Sequence, residues 1–465
     1  MKKSERTNSA IRNNGVDRIS NLPDPILHSI LSRLPETEEV VRTSILSTRW
    51  RYLWTSIKSL DIDCIRGFKP SKTFKKHKFE EFVYSVLLNQ TLDLDSFRLR
   101  CMNYYKMSTI WRWVQAAVMR KVKFLDLTFC PISKFEDVEL PNCLVMCESL
   151  VALKLYLFDH KLLLPNFKGF LALKVLELNS VELSDGYLVK KLLKSCPLLE
   201  DLSLYDCVIF QLLDFTISCP NLKTLRLDNR KSYGEIQING GYCNGLEIYC
   251  PKLVFLEYAG HIAYMFDFKV DSLKKAVLCP QLRIDHSSSP QSLVNTIFDL
   301  FAGVSHVESL SLNLSFAQWV AAPRDPNGVF PACLPNLKTL EITTSLDANT
   351  MNVVVMILKA SPNLKRFNLI ILTTHEDDYW PESWELKEVL GYHHLKRVEF
   401  VEFNGEKQKL DAARFLLEHA TELEEMIFSW CDKVKYDEKS METLNQVSKF
   451  HKASSSVEIT TLLKN

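Results

Sequence analysis

The chain has 465 residues, with 57 Lys and Arg against 56 Asp and Glu and a net charge of +1. So even a balance excludes a general polyanion binder, and 46% apolar residues excludes a chain that stays disordered along its length. The length also exceeds one ordinary compact core, which leaves several domains or an elongated repeat array. Taken in order, residues 1–16 are polar and charged, without the apolar segment of a secretory leader, and are expected to be disordered. Asp17 to Trp54 then packs three short helical signals and more apolar residues than so small a unit can bury. Asp24-Pro25 predicts a helix start, with a carboxylate cap and proline at the first helical position. Ile26, Ile30 and Leu34, with Leu27 and Leu31 one step round, make a wide apolar stripe that Leu34-Pro35 ends. Thr37 predicts the cap of a second helix carrying Val40, Val41, Ile45 and Leu46, with Glu38 and Glu39 in its first turn. Ser47-Thr48 opens a third, holding Trp50, Leu53 and Trp54.

This stretch resembles an F-box through Leu22-Pro23-Asp24, Ile26-Leu27, Ile30-Leu31, Leu34-Pro35, Val41-Arg42-Thr43-Ser44 and Leu46-Ser47-x-Arg49-Trp50-x-x-Leu53-Trp54. The resemblance implies docking onto a Skp-type adaptor and, through it, a cullin ubiquitin ligase. Leu22, Pro23, Ile26, Leu27, Ile30, Leu34, Pro35, Leu46 and Trp50 would supply the docking face and its supporting core. The apolar surplus requires some of them to point outward.

Ser59-Leu60-Asp61-Ile62-Asp63 alternates like a strand, and Lys69 to Lys78 reads as a solvated basic loop more than an import signal. From there a unit L-x-x-L-x-L recurs. Its first positions are Leu94, Val122, Leu150, Leu173, Leu199, Leu222, Leu253, Leu273, Val307, Leu337, Leu364, Leu395 and Leu423, on average about 27 residues apart. The period-2 end sets two side chains on one face of a short strand, and the first apolar residue lies in the turn before it. Linkers with helical period follow Ser184-Asp185, Ser289-Pro290 and Asn349-Thr350, and recur at Phe415-Leu416-Leu417. Each helix is expected to lead into a turn of the kind Ser195-Cys196-Pro197, Ser218-Cys219-Pro220, Tyr249-Cys250-Pro251 or Ser361-Pro362, where proline stops it.

Such units bury their apolar faces only by stacking, which predicts an α/β solenoid with parallel strands inside and helices outside. The pattern resembles the leucine-rich repeats of plant F-box proteins, most closely over Leu150 to Leu227. Trp384 to Phe428 resembles the FBD domain found behind such repeats. It carries the strand Leu395-Lys396-Arg397-Val398-Glu399-Phe400, an Asn404-Gly405 turn, a helix through Leu416 and a closing Leu423 to Phe428. As a strand–helix–strand unit it would cap the solenoid. The expected domains are a disordered 1–16, an F-box over 17–63, repeats over 64–380, an FBD unit over 381–450 and a tail over 451–465.

No motif for chemistry emerges. The 13 cysteines lack a paired framework and read as reduced, packed thiols of a cytoplasmic or nuclear protein. The longest apolar run, Val353 to Leu358, is far shorter than a membrane span. Gly240-Gly241 and Gly245 lack the Lys-Ser/Thr that grips phosphate, and Cys143-x-x-x-Cys147 lacks a second ligand pair. His393 and His394 would face opposite ways on a strand, and no cysteine has the basic surroundings that ubiquitin transfer through a thiolate needs. A non-catalytic protein is therefore expected, with no cofactor, metal, nucleic acid or membrane partner. Weak substrate contacts are expected from Tyr379, Trp380 and Trp384 in an acidic-aromatic insert, and from Arg226 and Arg230 about the Leu227 strand. No clear basic cluster is evident at the strand positions. The expected function is the substrate-recognition subunit of an SCF-type ubiquitin ligase, whose repeats hold a protein substrate. The alternatives are a small-molecule, hormone-type receptor on the same architecture and a non-ligase scaffold.

Overall fold

A computed structural model of the chain describes residues 17–64, 76–101, 105–133, 135–165, 169–183, 186–209, 214–229, 245–261, 265–281, 290–315, 317, 333–344, 348–372 and 394–464. They fall into two compact units, Met1–Ser133 with Cys147–Leu150, and Lys134–Met146 with Val151–Asn465.

The first unit begins with helices α1 (Asp24–Leu31) and α2 (Thr37–Arg42), followed by a single 3-10 turn at Thr43–Ile45 and a longer 3-10 segment at Trp50–Ser56. The three-helix expectation thus becomes two α-helices and a tighter third segment. Proline sits inside the first turn of α1 as expected, but Pro23 is the cap residue. The Asp24 carboxylate instead accepts from Arg49 Nη2 at 2.7 Å. Thr37 lies within α2 rather than capping it, and its Oγ1 accepts from the Asp61 backbone N–H at 2.8 Å. It ties the helix to the sheet.

Strands β1 (Ser59–Asp63), β2 (Ser96–Cys101) and β3 (Phe124–Phe129) alternate with helices α3 (Lys76–Asn89) and α4 (Met107–Met119). They pair in parallel, with Leu60 opposite Phe97 opposite Leu125, and Ile62 opposite Leu99 opposite Leu127. Ile57, Leu60 and Ile62 are all buried and hold the repeat positions. One further repeat therefore lies inside the stretch read as F-box.

The second unit runs β4 (Val138–Glu139), α5 (Asn142–Val145), β5 (Ala152–Leu163), β6 (Val175–Leu183), α6 (Gly186–Lys194), β7 (Asp201–Tyr205), β8 (Val208–Ile209), β9 (Asp214–Ser218) and β10 (Thr224–Asp228). It continues with β11 (Gly245–Tyr249), β12 (Phe255–His261), β13 (Met265–Lys269), β14 (Lys275–Gln281), α7 (Pro290–Gly303), β15 (Ser309–Asn313), β16 (Thr339–Thr344) and α8 (Ala348–Lys359). It ends with β17 (Arg366–Ile371), β18 (Arg397–Phe403), α9 (Lys407–His419), β19 (Glu425–Trp430), α10 (Lys433–Ser448) and β20 (Glu458–Leu463). Strands β5, β6, β7, β10, β12, β14, β15, β16, β17, β18, β19 and β20 form one parallel sheet in that order. Leu153, Leu176, Leu202, Leu225, Leu256, Ala276, Leu310, Leu340, Phe367, Val398 and Met426 stand opposite one another down it. All are buried, and so is each preceding turn residue from Leu150 to Leu423. The expected α/β repeat fold with a long parallel sheet is the fold found.

Helices α6, α7, α8 and α9 occupy the four windows of helical period. In the middle of the chain the connections differ. Strands β9, β11 and β13 form a second parallel sheet, with α6 packed on β9 and α7 on β13. The Ser218-Cys219-Pro220 and Tyr249-Cys250-Pro251 turns thus follow strands and not helices. Their residues, Phe215-Thr216-Ile217 and Leu246-Glu247-Ile248, alternate with β-branched or aromatic character, which favours strand over helix. Gly303 ends α7 where a Cβ would stand 2.6 Å from the Phe268 ring, so only glycine allows the close approach. At the C-terminus, the segment expected to be a tail carries β20, paired in parallel to β19. No helix among the described residues is long and apolar enough to cross a membrane.

Candidate functional site

The helical segment divides its apolar residues between core and surface. Leu27, Leu31, Val40, Trp50 and Trp54 are buried, and Leu22 and Leu34 are half-buried. Pro23, Ile26, Ile30, Pro35 and Leu46 are exposed, Ile26 at 47% and Leu46 at 61%. Ile26 and Ile30 share one face of α1, one turn apart. Ile45, which the sequence places on the inner face of the second helix, is the most outward of all at 85% exposed. The 3-10 geometry of Thr43–Ile45 explains that reversal, because the tighter turn rotates the residue off the α-helical stripe.

Polar contacts hold this surface in place. Trp50 Nε1 donates to Ser20 Oγ at 3.0 Å, and Ser20 Oγ also meets Ser47 Oγ at 3.0 Å. Arg49 pairs with Asp24 at 2.7 Å, and Ser56 Oγ meets His28 Nε2 at 2.8 Å. Arg49 and Trp50 therefore serve the scaffold, while Pro23, Ile26, Ile30, Ile45 and Leu46 remain available to a partner.

The second feature is the rim of the repeat sheet. In these repeats the residue after the first apolar position immediately precedes the strand, and its N–H and the next one share a carbonyl of the preceding repeat. Lys338 and Thr339 donate to Glu308 O at 2.9 and 3.2 Å, and Lys365 and Arg366 donate to Lys338 O at 3.0 Å each. Lys396 and Arg397 donate to Lys365 O at 3.0 and 3.1 Å. Rim side chains are thereby held one strand apart, about 4.8 Å. Over much of the rim, charges alternate. Glu200 pairs with Lys174 at 3.1 Å and with Lys223 at 2.6 Å, which holds its carboxyl below the usual range. From β16 to β18 they do not: Lys338, Lys365 and Lys396 are successive, and Arg366 stands opposite Arg397. This is a basic cluster where the sequence shows none, because only the register reveals which residues are neighbours.

Of the other candidates, Arg226 lies within β10 and is engaged by Asp201 at 3.2 Å, by Glu257 at 3.7 Å and by the Phe255 ring at 5.2 Å. It braces three strands. Arg230, Tyr379, Trp380 and Trp384 lie outside the described residues, as do His393, residues 1–16 and Gly240-Gly241. No cluster of metal-ligating side chains occurs among the described residues. Cys196, Cys207, Cys219 and Cys250 are buried free thiols. Burial pushes Cys196 and Cys250 up to about 11 and Cys207 and Cys219 up to about 12. Those values disfavour the reactive thiolate.

An F-box helical unit followed by a leucine-rich parallel sheet defines the class. The F-box domain profile matches residues 19–61, and the profile of the At1g61320/AtMIF1 LRR domain matches residues 84–460. The chain belongs to the F-box proteins with a leucine-rich-repeat domain of this kind. Relatives from Arabidopsis thaliana span nearly its whole length. FBD-associated F-box protein At5g22730 is 25% identical, covering 92% of this chain and 90% of the relative. F-box/FBD/LRR-repeat protein At3g52680 is 29% identical over 89% of this chain and 86% of its own length. F-box/LRR-repeat protein 13 is 28% identical over 91% and 92%. Proteins of this class serve in general as non-catalytic adaptors.

Proposed function

We propose that the chain is the substrate-recognition subunit of an SCF-type ubiquitin ligase. The observation that carries this reading is the exposure of Pro23, Ile26, Ile30, Ile45 and Leu46 on a segment that matches the F-box profile. Outward aliphatic residues on a rigid helical scaffold are what a docking face requires, and left in water they favour association. Docking here would attach the chain to a Skp-type adaptor and so to a cullin, and the repeat sheet would hold the protein to be ubiquitinated. The site would work by proximity: the chain brings a substrate lysine near a ligase-bound donor and moves no proton or bond itself. The FBD-like region from β18 to β19, with β20 behind it, would finish the sheet edge.

Co-expression with a Skp-type adaptor tests the reading. The parent chain is expected to capture the adaptor, and Leu22→Ala/Pro23→Ala to capture clearly less. Equal capture by that variant would contradict the docking face.

A further inference from the structure

The lysine run on the rim is unlike the rest of the ladder. Like charges held opposite one another on neighbouring strands destabilise a sheet. Over Lys174, Glu200 and Lys223, and again over Lys274, Glu308 and Lys338, the signs alternate, and from Lys338 to Lys396 the alternation fails over three strands. The outer two lysines find glutamates at the ends of the run, Lys338 with Glu308 at 2.7 Å and Lys396 with Glu424 at 2.6 Å. Lys365, between them, is exposed and has no ion pair among the described residues, and Arg366 beside it is likewise exposed and unpaired. An open groove borders one side of this run: Lys338, Lys365, Asn336 and Asn363 line it together with Asp271 and Glu308, while Arg366 and Lys396 stand beyond it. Each asparagine is held by the preceding repeat: Asn336 Nδ2 donates to His306 O at 3.3 Å and Asn363 Nδ2 to Pro335 O at 2.8 Å. Their amide nitrogens are used in this way, and both side chains line the groove.

We infer that Lys338, Lys365, Arg366 and Lys396, with Asn336 and Asn363, bind an acidic extended segment of the substrate protein. The inference rests on the reading of this chain as a substrate-recognition subunit. The cations complement carboxylates spaced along a peptide. A protein segment, and not a nucleic acid, is what a substrate-recognition subunit holds. Glu308 at one end and Glu424 at the other keep the basic stretch to three strands, a length that suits a few carboxylates on a short segment better than a long polyanion. Charge pairing at such a rim sets the rate of encounter and the choice of partner, and it weakens with salt.

The test uses the full chain and a short fluorescein-labelled peptide of alternating Asp and Gly, read by anisotropy at low salt. Lys365→Glu/Arg366→Glu is expected to weaken binding about tenfold or more, while Lys154→Glu, on the distant strand β5, changes it less than about twofold. The double variant restores alternation between Lys338 and Lys396, so its melting temperature should not fall, and loss of binding cannot be assigned to unfolding. Unchanged peptide binding in the double variant overturns the inference. So does tighter binding of an oligothymidine than of the peptide, or displacement of the peptide by inorganic phosphate at equal charge concentration. Adaptor capture by the same double variant should match the parent. If the parent fails to capture adaptor yet binds the peptide through these residues, the ligase reading fails and the rim assignment stands.

Discussion

Glu399 on β18 shows how one residue can fasten the C-terminal end of the sheet. It is 7% exposed, accepts from Ser429 Oγ on β19 at 2.6 Å and from Lys464 Nζ, and lies 3.7 Å from Arg397. Burial raises its pKa, but the hydrogen bonds from Lys464 and Ser429 and the charges of Lys464 and Arg397 outweigh it, so the carboxyl titrates below its ordinary value. A carboxylate depressed in the folded state contributes stability above its unfolded pKa of about 4.3 and loses it as pH falls through the folded value. Urea unfolding should therefore find Glu399→Gln less stable than the parent by about 1–2 kcal/mol at pH 7. The gap should shrink when the measurement is repeated near pH 3. The thiols give a second expectation at this scale. At pH 8, iodoacetamide followed by mass spectrometry should label the exposed Cys333 and Cys431 while Cys196, Cys207, Cys219 and Cys250 react only after denaturation. Rapid labelling of the four buried thiols in native protein would show that the turns they anchor open readily.

At the scale of elements, the apolar triplets transmit the fold. Each places one side chain in a turn and two on a strand, and parallel register lines the strand pairs up without a shift from β14 to β17. Replacing Leu340 by Ala should cost about 2–5 kcal/mol, read as a lower urea midpoint. The same loss is expected for Leu60→Ala, because β1 is a repeat strand and not F-box surface. A near-neutral Leu60→Ala would separate β1 from the sheet. Gly303→Val should cost about 1–3 kcal/mol, through the contact with Phe268 on β13. The thirteen triplets were legible because period 2 and leucine content survive in a single sequence. The first repeat was not, since its Ile57-x-x-Leu60-x-Ile62 runs directly out of the helical segment and borrows no leucine at its first position. The second sheet was not legible either, because the Cys-Pro turns follow helix and strand alike and so do not mark which of the two precedes them. At the candidate site the identity of the helical unit was legible and its orientation was not. Leu27 and Ile26 are adjacent aliphatics, and only packing against Trp50 and Trp54 decides which turns inward. The rim cluster was invisible for a simpler reason: its lysines are about 30 residues apart in sequence and one strand apart in space.

At the scale of the molecule, two surfaces of different chemistry emerge, each within its own compact unit. Outward aliphatics on the F-box suit a permanent partner, since apolar cores dominate lasting interfaces. The basic rim suits a partner chosen by charge, bound and released with salt-sensitive kinetics. An adaptor needs both kinds. The central claim is that the exposed F-box residues dock a Skp-type adaptor, and calorimetric titration of adaptor into full-length chain tests it most directly. Ile26→Asp/Ile45→Asp alters only exposed positions, so its melting temperature should stay within a few degrees of the parent. The account predicts a one-to-one complex for the parent and a loss of about 2 kcal/mol or more, roughly thirtyfold in affinity, for the double variant. Adaptor binding by the folded variant as tight as by the parent would contradict it.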